Sequence, residues 1–109
     1  MPVRDSLLEE VARRFALLAD PNRLRILHVL VEHDGQSVAE LAGTLDMARP
    51  NVSQHLSRLL EAGIVGRRRD GRAVRYSVTD PAVSALCDLV CSSLRDEARI
   101  RAERLEAAG

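Results

Sequence analysis

The chain has 109 residues, of which 46% are hydrophobic, and its 16 basic residues balance 16 acidic ones. This length suits a single domain with a modest core. The core must be filled by aliphatic side chains, because the sequence holds one Phe, one Tyr and no Trp. No apolar run approaches the roughly 20 residues of a membrane span, and no signal-peptide pattern is present. We therefore expect a mainly helical cytoplasmic protein with no membrane partner.

Positive charge is concentrated in one stretch of the chain. Between Arg49 and Arg75, seven arginines stand against two acidic residues, a local excess of five, and the rest of the chain is acidic by the same amount. The guanidinium fork suits phosphate and guanine, although a high-GC genome also explains the preference for arginine over lysine. We therefore infer the partner from this local excess of positive charge rather than from the zero net charge of the whole chain.

Two amphipathic helices open the chain. Apolar residues recur at three- and four-residue spacing from Asp5 to Ala19, which predicts the first helix. Asp20 then caps a second helix whose first turn contains Pro21 and which stops by Gly35. The apolar stripe expected to face the core comprises Leu24, Leu27, Leu30 and Val31.

A helix-turn-helix motif is predicted next. Ser37 and Glu40 form a capping-box pattern at the start of a third helix that runs through Leu45. After a short turn, a fourth helix starts near Arg49 and ends at Gly63. The inward residues are expected to be Val38, Leu41 and Leu45 in the third helix, and Val52, Leu56, Leu59 and Leu60 in the fourth.

A β-hairpin and a last helix complete the chain. Segments 65–69 and 73–78 are strand-like, with Asp70-Gly71 as the hairpin turn. Asp80-Pro81 opens the last helix, whose apolar face comprises Val83, Leu86, Val90 and Leu94. The predicted fold is mainly α with a small β-hairpin. It is a winged helix-turn-helix in a single domain over residues 1–109, with the helix-turn-helix at 37–62 and the wing at 64–78.

This arrangement predicts contact with double-stranded DNA. A helix fits the major groove, where Asn and Gln pair with adenine and Arg pairs with guanine. Arginines on the hairpin raise the affinity of the protein for DNA by displacing counterions from the phosphates. The candidate contacts are Arg49, Asn51, Ser53, Gln54, His55 and Arg58 on the fourth helix and Arg68, Arg69 and Arg72 on the wing, where Arg67 and Arg75 add to the charge.

Other interpretations stay open at this point. His55 suits a DNA contact, which we favour, but also a metal ligand or a half-buried residue at the helix edge. His28 and His33 are poorly spaced for a shared metal and receive no role. The alternative function is a winged-helix protein-interaction module, against which the basic wing and the polar fourth helix argue. Because no catalytic arrangement or phosphate loop is evident, an enzyme is not predicted.

Several motifs occur in a fixed order: LADPNRLRIL at 18–27, VAELA at 38–42, NVSQHL at 51–56, AGIV at 62–65 and RRDGR at 68–72, followed by Tyr76. This order resembles the ArsR/SmtB family of metal-responsive repressors, over about Leu7 to Leu94. The resemblance implies a homodimer built from the first and last helices, residues 1–19 and 80–106. It also implies a pseudo-palindromic operator, from which the protein is released when an inducer binds.

The positions of the usual family metal ligands differ here. Members that sense through the third helix carry a Cys-x-Cys pair, where this chain has Ser37 and Ala39. Members that use the last helix combine acids with histidines; Asp80 and Asp96 match the acids, but Ala82 and Ser93 replace the histidines. We therefore expect both usual sites to be absent. Ala48, where Ser is frequent, also weakens the cap of the fourth helix.

Cys87 and Cys91 are four residues apart on the last helix, so their thiols lie on one side of it. A twofold axis would add a second pair, and three or four thiolates suit arsenite, cadmium or zinc. Packing as small hydrophobic residues has equal support, and oxidation to a disulfide or sulfenate is a third alternative. A constitutive regulator without a metal site thus stays an alternative to an inducible one.

Overall fold

The computed structural model describes residues 4–108, so the ends of the predicted segments that include residues 1–3 and 109 lie outside the described residues. The elements in chain order are α1 Asp5–Leu18, α2 Pro21–Glu32, α3 Val38–Leu45, α4 Arg49–Glu61, β1 Val65–Asp70, β2 Ala73–Val78 and α5 Pro81–Ala108. The predicted mainly helical fold with an antiparallel hairpin is confirmed. Across residues 4–108, no helix is both long and apolar enough to cross a membrane.

Side-chain caps fix the starts of α2 and α3. Asp20 Oδ1 accepts hydrogen bonds from the backbone N–H groups of Asn22 at 2.8 Å and Arg23 at 3.2 Å. The hydrogen bond from the Arg23 backbone is the main cause of the lowered pKa of the Asp20 carboxyl. Ser37 and Glu40 form the complete capping box of α3. The two helix starts therefore agree with the sequence prediction.

The core is assembled around α2, α3, α4 and the start of β1. Its fully buried side chains are Val52, Leu56 and Leu59 of α4 with Ile26, Leu27, Leu30, Leu41, Ile64 and Val65. The inward face of α4 is thus as predicted, with Leu60 only partly buried.

The predicted stripe of α2 was partly wrong. Leu24 and Val31 are 40% and 47% exposed, whereas Ile26 and Val29 are buried. The reason is that α2 packs against α1, α3, α4 and β2, and these neighbours together select its buried face. Spacing along α2 alone does not contain that information.

The hairpin turn lies one residue later than predicted. β1 and β2 pair antiparallel, and Asp70 lies opposite Ala73 in the register. The two loop residues are therefore Gly71 and Arg72. Gly71 has φ +64°, a left-handed conformation that glycine adopts at the first position of a two-residue hairpin loop.

The helices α1 and α5 each present several apolar side chains to solvent in the single chain. The exposed residues are Leu7, Leu8, Val11 and Phe15 on α1 and Leu89, Val90, Leu94, Ile100 and Leu105 on α5. In α5 the predicted face packs on the core only at its amino end, where Val83 is buried and Leu86 partly buried. Both helices therefore have apolar faces that residues 4–108 of the same chain do not cover.

Candidate nucleic-acid interface

The amino-terminal half of α4 carries an exposed polar face. Because Val52 and Leu56 are buried, helical geometry turns the residues between them outward. The exposed predicted residues are Arg49, Asn51, Ser53 and Gln54. The expected weak cap is also found, since Ala48 makes no side-chain hydrogen bond at the start of α4. This face offers amide, hydroxyl and guanidinium groups, which are the groups that read base edges.

His55 lies half-buried at the side of α4. Its Nδ1 accepts a hydrogen bond from Arg23 Nε at 3.2 Å, and Arg23 Nη1 donates to the carbonyl oxygen of Leu17 at 3.1 Å. This contact orients the half-buried ring and leaves the N–H donor on Nε2, through which a DNA contact can still be made. Sequence analysis missed Arg23, because no local pattern indicates a partner 32 residues away.

Arg58 is exposed on the side of α4 that faces α1. It lines a groove of about 1060 Å³ between α1, the end of α4 and the start of α5. In the same groove, Arg14 donates to Asp80 Oδ2 at 2.5 Å and to the carbonyl oxygen of Ala62 at 2.9 Å. Asp80, which matches an acid of a family metal site, is therefore engaged in an ion pair between α1 and the start of α5.

Four hairpin arginines are exposed: Arg67, Arg68, Arg69 and Arg72. Within residues 4–108 none of the four forms an ion pair. In the strand register Arg67 and Arg69 share one face of the hairpin, and Arg68 lies on the other. We call this set the wing arginines. Their charges are available to phosphate oxygens.

Arg75 differs from the wing arginines, although the sequence grouped it with them. Its Nη1 donates to Glu40 Oε1 at 2.8 Å and to the carbonyl oxygen of Gly35 at 2.9 Å, and its Nε donates to Asp70 Oδ2 at 3.2 Å. The hydrogen bond with Glu40, followed by that with Asp70, raises the pKa of Arg75 above its ordinary value. Three of the five N–H donors of this guanidinium are thus engaged by acceptors of the protein.

Comparison with known proteins identifies the family. Residues 18–68 match a model described as a helix-turn-helix domain. Over 90 residues the chain is 41% identical to the "Probable mercury resistance operon repressor" of Streptomyces lividans, a match that covers 83% of this chain and 71% of that protein. It also superposes on a homodimeric winged helix-turn-helix domain from Mycobacterium bovis, described as a possible ArsR-family regulator. That superposition has a TM-score of 0.78, 29% identity and coverage of 88% of this chain and 91% of the other.

The chain belongs to the ArsR/SmtB family of transcriptional regulators. A further solved structure, the antimony-specific transcriptional repressor AntR, matches this ArsR/SmtB protein with a TM-score of 0.81 and 29% identity. The match covers 91% of this chain and 89% of that one. These findings confirm the predicted winged helix-turn-helix fold and the predicted role in transcriptional regulation.

The two cysteines of this ArsR/SmtB protein have different surroundings. Cys87 is half-buried against the core, whereas Cys91 is exposed, and both are free thiols. Burial is the main cause of the raised pKa of the Cys87 thiol, and the neighbouring Cys91 and Asp88 add to it. In the described part of the chain, no three His, Cys, Asp or Glu side chains lie close enough to hold a metal ion.

Proposed function

We propose that this regulator is a homodimeric repressor that recognises a specific DNA sequence. The observation that carries the proposal is the combination of two surfaces, the exposed polar face of α4 and the wing arginines. A helix with base-reading side chains supplies specificity, and cations on a wing supply affinity for the backbone. The proposed contacts are Arg49, Asn51, Ser53, Gln54, His55 and Arg58 of α4 and Arg68, Arg69 and Arg72 of the wing.

The dimer is proposed to form through α1 and α5. Phe15 of α1 is 53% exposed, and Leu89 and Leu94 of α5 are 69% and 59% exposed in the single chain. Covering these side chains with a second copy removes apolar surface from water, which is worth about 25 cal/mol for each Å². A twofold dimer binds two half-sites about one DNA turn apart, so the operator is expected to be pseudo-palindromic.

Release from the operator is proposed to occur at Cys87 and Cys91, by a thiophilic ion such as arsenite, cadmium or zinc, or by thiol oxidation. Relatives named for mercury resistance and for antimony support this class of inducer. Two thiols of one chain are too few for most such sites, so the partner's pair would complete three or four ligands. The packing of Cys87 on the core equally suits the alternative, a constitutive regulator.

The test of DNA recognition compares a duplex from the region upstream of the protein's own gene with a scrambled duplex. The wild type should bind the upstream duplex at least about 1,000-fold more tightly. Asn51→Ala/Gln54→Ala should lose this preference and keep salt-dependent binding to both duplexes, whereas Ser57→Ala on the same helix should behave like the wild type. Equal, weak binding of the wild type to both duplexes would contradict the repressor and favour a protein-interaction module.

The test of release adds arsenite, cadmium, zinc or an oxidant separately to the reduced protein on its operator. If the cysteines are the sensor, one addition should release the wild type but not Cys87→Ser/Cys91→Ser. If both proteins respond alike, or neither responds, the cysteines are packing residues and the inducer hypothesis fails at this site.

A further inference from the structure

The guanidinium of Arg75 connects three parts of the fold. Glu40 lies in the first turn of α3, Gly35 lies in the loop before α3, and Asp70 is the last residue of β1. Since Arg75 is in β2, its hydrogen bonds to these three acceptors join the wing to the first helix of the helix-turn-helix. Its side chain is only 31% exposed, as expected for a guanidinium that these acceptors partly enclose.

A backbone bridge lies beside these side-chain contacts. The N–H of Gln36 donates to the carbonyl oxygen of Tyr76 at 3.1 Å, and the N–H of Tyr76 donates to the carbonyl oxygen of Gln36 at 2.8 Å. Tyr76 follows Arg75 in β2, and Gln36 follows Gly35 in the loop. We call the two backbone hydrogen bonds and the side-chain contacts of Arg75 together the wing junction. The wing is therefore attached to α3 as well as to the end of α4.

Arg75 also neutralises negative charge close to the proposed DNA surface. Asp70 is the only acidic residue of the segment 64–78, and it lies directly before the hairpin loop that contains Arg72. An unpaired carboxylate there would repel phosphate. The ion pair with Arg75 offsets this charge and leaves the wing arginines as the excess.

We infer that Arg75 is a positioning residue for DNA binding. It holds the wing against α3, so that the wing arginines and the polar face of α4 meet the same duplex, and it makes no phosphate contact itself. This inference rests on the proposed DNA-binding function. It distinguishes Arg75 from Arg72, which has the same charge but no ion pair within the described residues.

Glu40→Gln separates a positioning role of Arg75 from a phosphate contact by the sign of the effect. Glutamine at this position keeps the capping box of α3 but removes the charge that pairs with Arg75. If Arg75 contacted phosphate, loss of the acid would free its guanidinium and strengthen binding. If Arg75 positions the wing, binding should weaken by about threefold or more, even though a negative charge has been removed.

Two matched controls accompany Glu40→Gln. Asp46→Asn also removes one carboxylate from the helix-turn-helix, at an exposed residue with φ 53° that forms no ion pair within residues 4–108. Asparagine tolerates this left-handed conformation, so Asp46→Asn should bind as tightly as the wild type or more tightly. Arg75→Lys keeps the charge but not the guanidinium fork and should weaken binding. Its matched control is Arg25→Lys, at an exposed arginine of α2 outside the proposed DNA contacts, which should stay close to the wild type.

The junction itself is measured without DNA. Amide hydrogen exchange at Gln36 and Tyr76 should accelerate in Glu40→Gln and Arg75→Lys, while the amides of Leu56 and Leu59 in the core stay protected. Protection that remains unchanged at Gln36 and Tyr76 would overturn the inference, because the side-chain contact would then not hold the wing.

The binding data distinguish failure of the inference from failure of the proposed function. If the wild type binds the upstream duplex and Glu40→Gln binds it equally or more tightly, the positioning role of Arg75 is wrong and the repressor stands. If the wild type binds no duplex, the proposed function is wrong and the positioning role falls with it.

Discussion

Arg72→Gln is the most direct test of contact between the wing and the DNA backbone. Arg72 occupies the second position of the hairpin loop and is exposed. It forms no ion pair within the described residues, so its removal breaks no visible contact inside the protein. The substitution keeps a polar side chain and removes one positive charge from each chain. Any loss of affinity should therefore come from the DNA side.

The magnitude follows from the number of copies. A homodimer presents Arg72 twice, and each phosphate contact contributes about 0.9 to the slope of log affinity against log salt. The slope should therefore fall by about 1.8. When the salt concentration rises from about 50 to 200 mM, the wild type should lose roughly tenfold more affinity than the variant.

The assay is a series of fluorescence anisotropy titrations on one duplex at several salt concentrations. Arg25→Gln is the matched control, since Arg25 is an exposed arginine of α2 that lies outside the proposed DNA contacts and the proposed dimer helices. Phosphate contacts carry no sequence information, so Arg72→Gln should weaken specific and scrambled duplexes alike. An unchanged slope for Arg72→Gln, or an equal decrease for Arg25→Gln, would refute the wing contact.

Three further predictions concern stability and thiol chemistry. Leu59→Ala, at a fully buried position, should lower the free energy of unfolding measured in urea by about 2–5 kcal/mol. Leu24→Ala, at a position that is 40% exposed, should lower it by less, and equal losses would contradict the core assignment. Iodoacetamide added to protein diluted until it is monomeric should modify Cys91 faster than Cys87 at neutral pH, because Cys91 is exposed in the single chain and burial raises the pKa of the Cys87 thiol. Mass spectrometry should show the difference in rate narrowing as the pH rises, and faster modification of Cys87 would refute this prediction. Because the pKa of Asp20 is lowered in the folded state, its ionised cap stabilises the fold fully above the ordinary carboxyl pKa, and this stabilisation is lost as the pH falls through the folded-state pKa. The thermal midpoint should therefore fall more steeply in acid for the wild type than for Asp20→Asn.

Local signals in the sequence predicted the elements well. The start of α2 follows from Asp20 and Pro21, and the start of α3 follows from the pattern of Ser37 and Glu40, because each cap is made within a few residues of chain. The buried face of α2 was predicted less well, since four neighbouring elements select Ile26 and the residues around it. Periodicity finds that a helix is amphipathic, but packing decides which arc is buried.

The candidate site, too, could be predicted from the sequence only in part. That the hairpin carries a basic cluster follows from composition, but Arg72 and Arg75 look alike in the sequence. Only the fold brings Arg75 to Glu40, which is 35 residues away in the chain. The same holds for the thiols: spacing predicts that Cys87 and Cys91 share a side of α5, and the fold alone makes one half-buried and the other exposed.

Arginine side chains also connect the helices of the proposed dimer interface with α4. Arg23 links the carbonyl oxygen at the end of α1 to His55 of α4, and Arg14 of α1 bridges Asp80, before α5, and the residue that follows α4. An inducer can release DNA only by binding more tightly to the state that binds DNA poorly. Because Arg23 and Arg14 connect α1 to the side and the carboxyl end of α4, and Arg14 also binds Asp80 directly before α5, we expect a rearrangement of α1 against α5 to alter the placement of the polar face of α4. The wing is held by α3 through Arg75 as well as by the end of α4, so we expect it to move together with the helix-turn-helix.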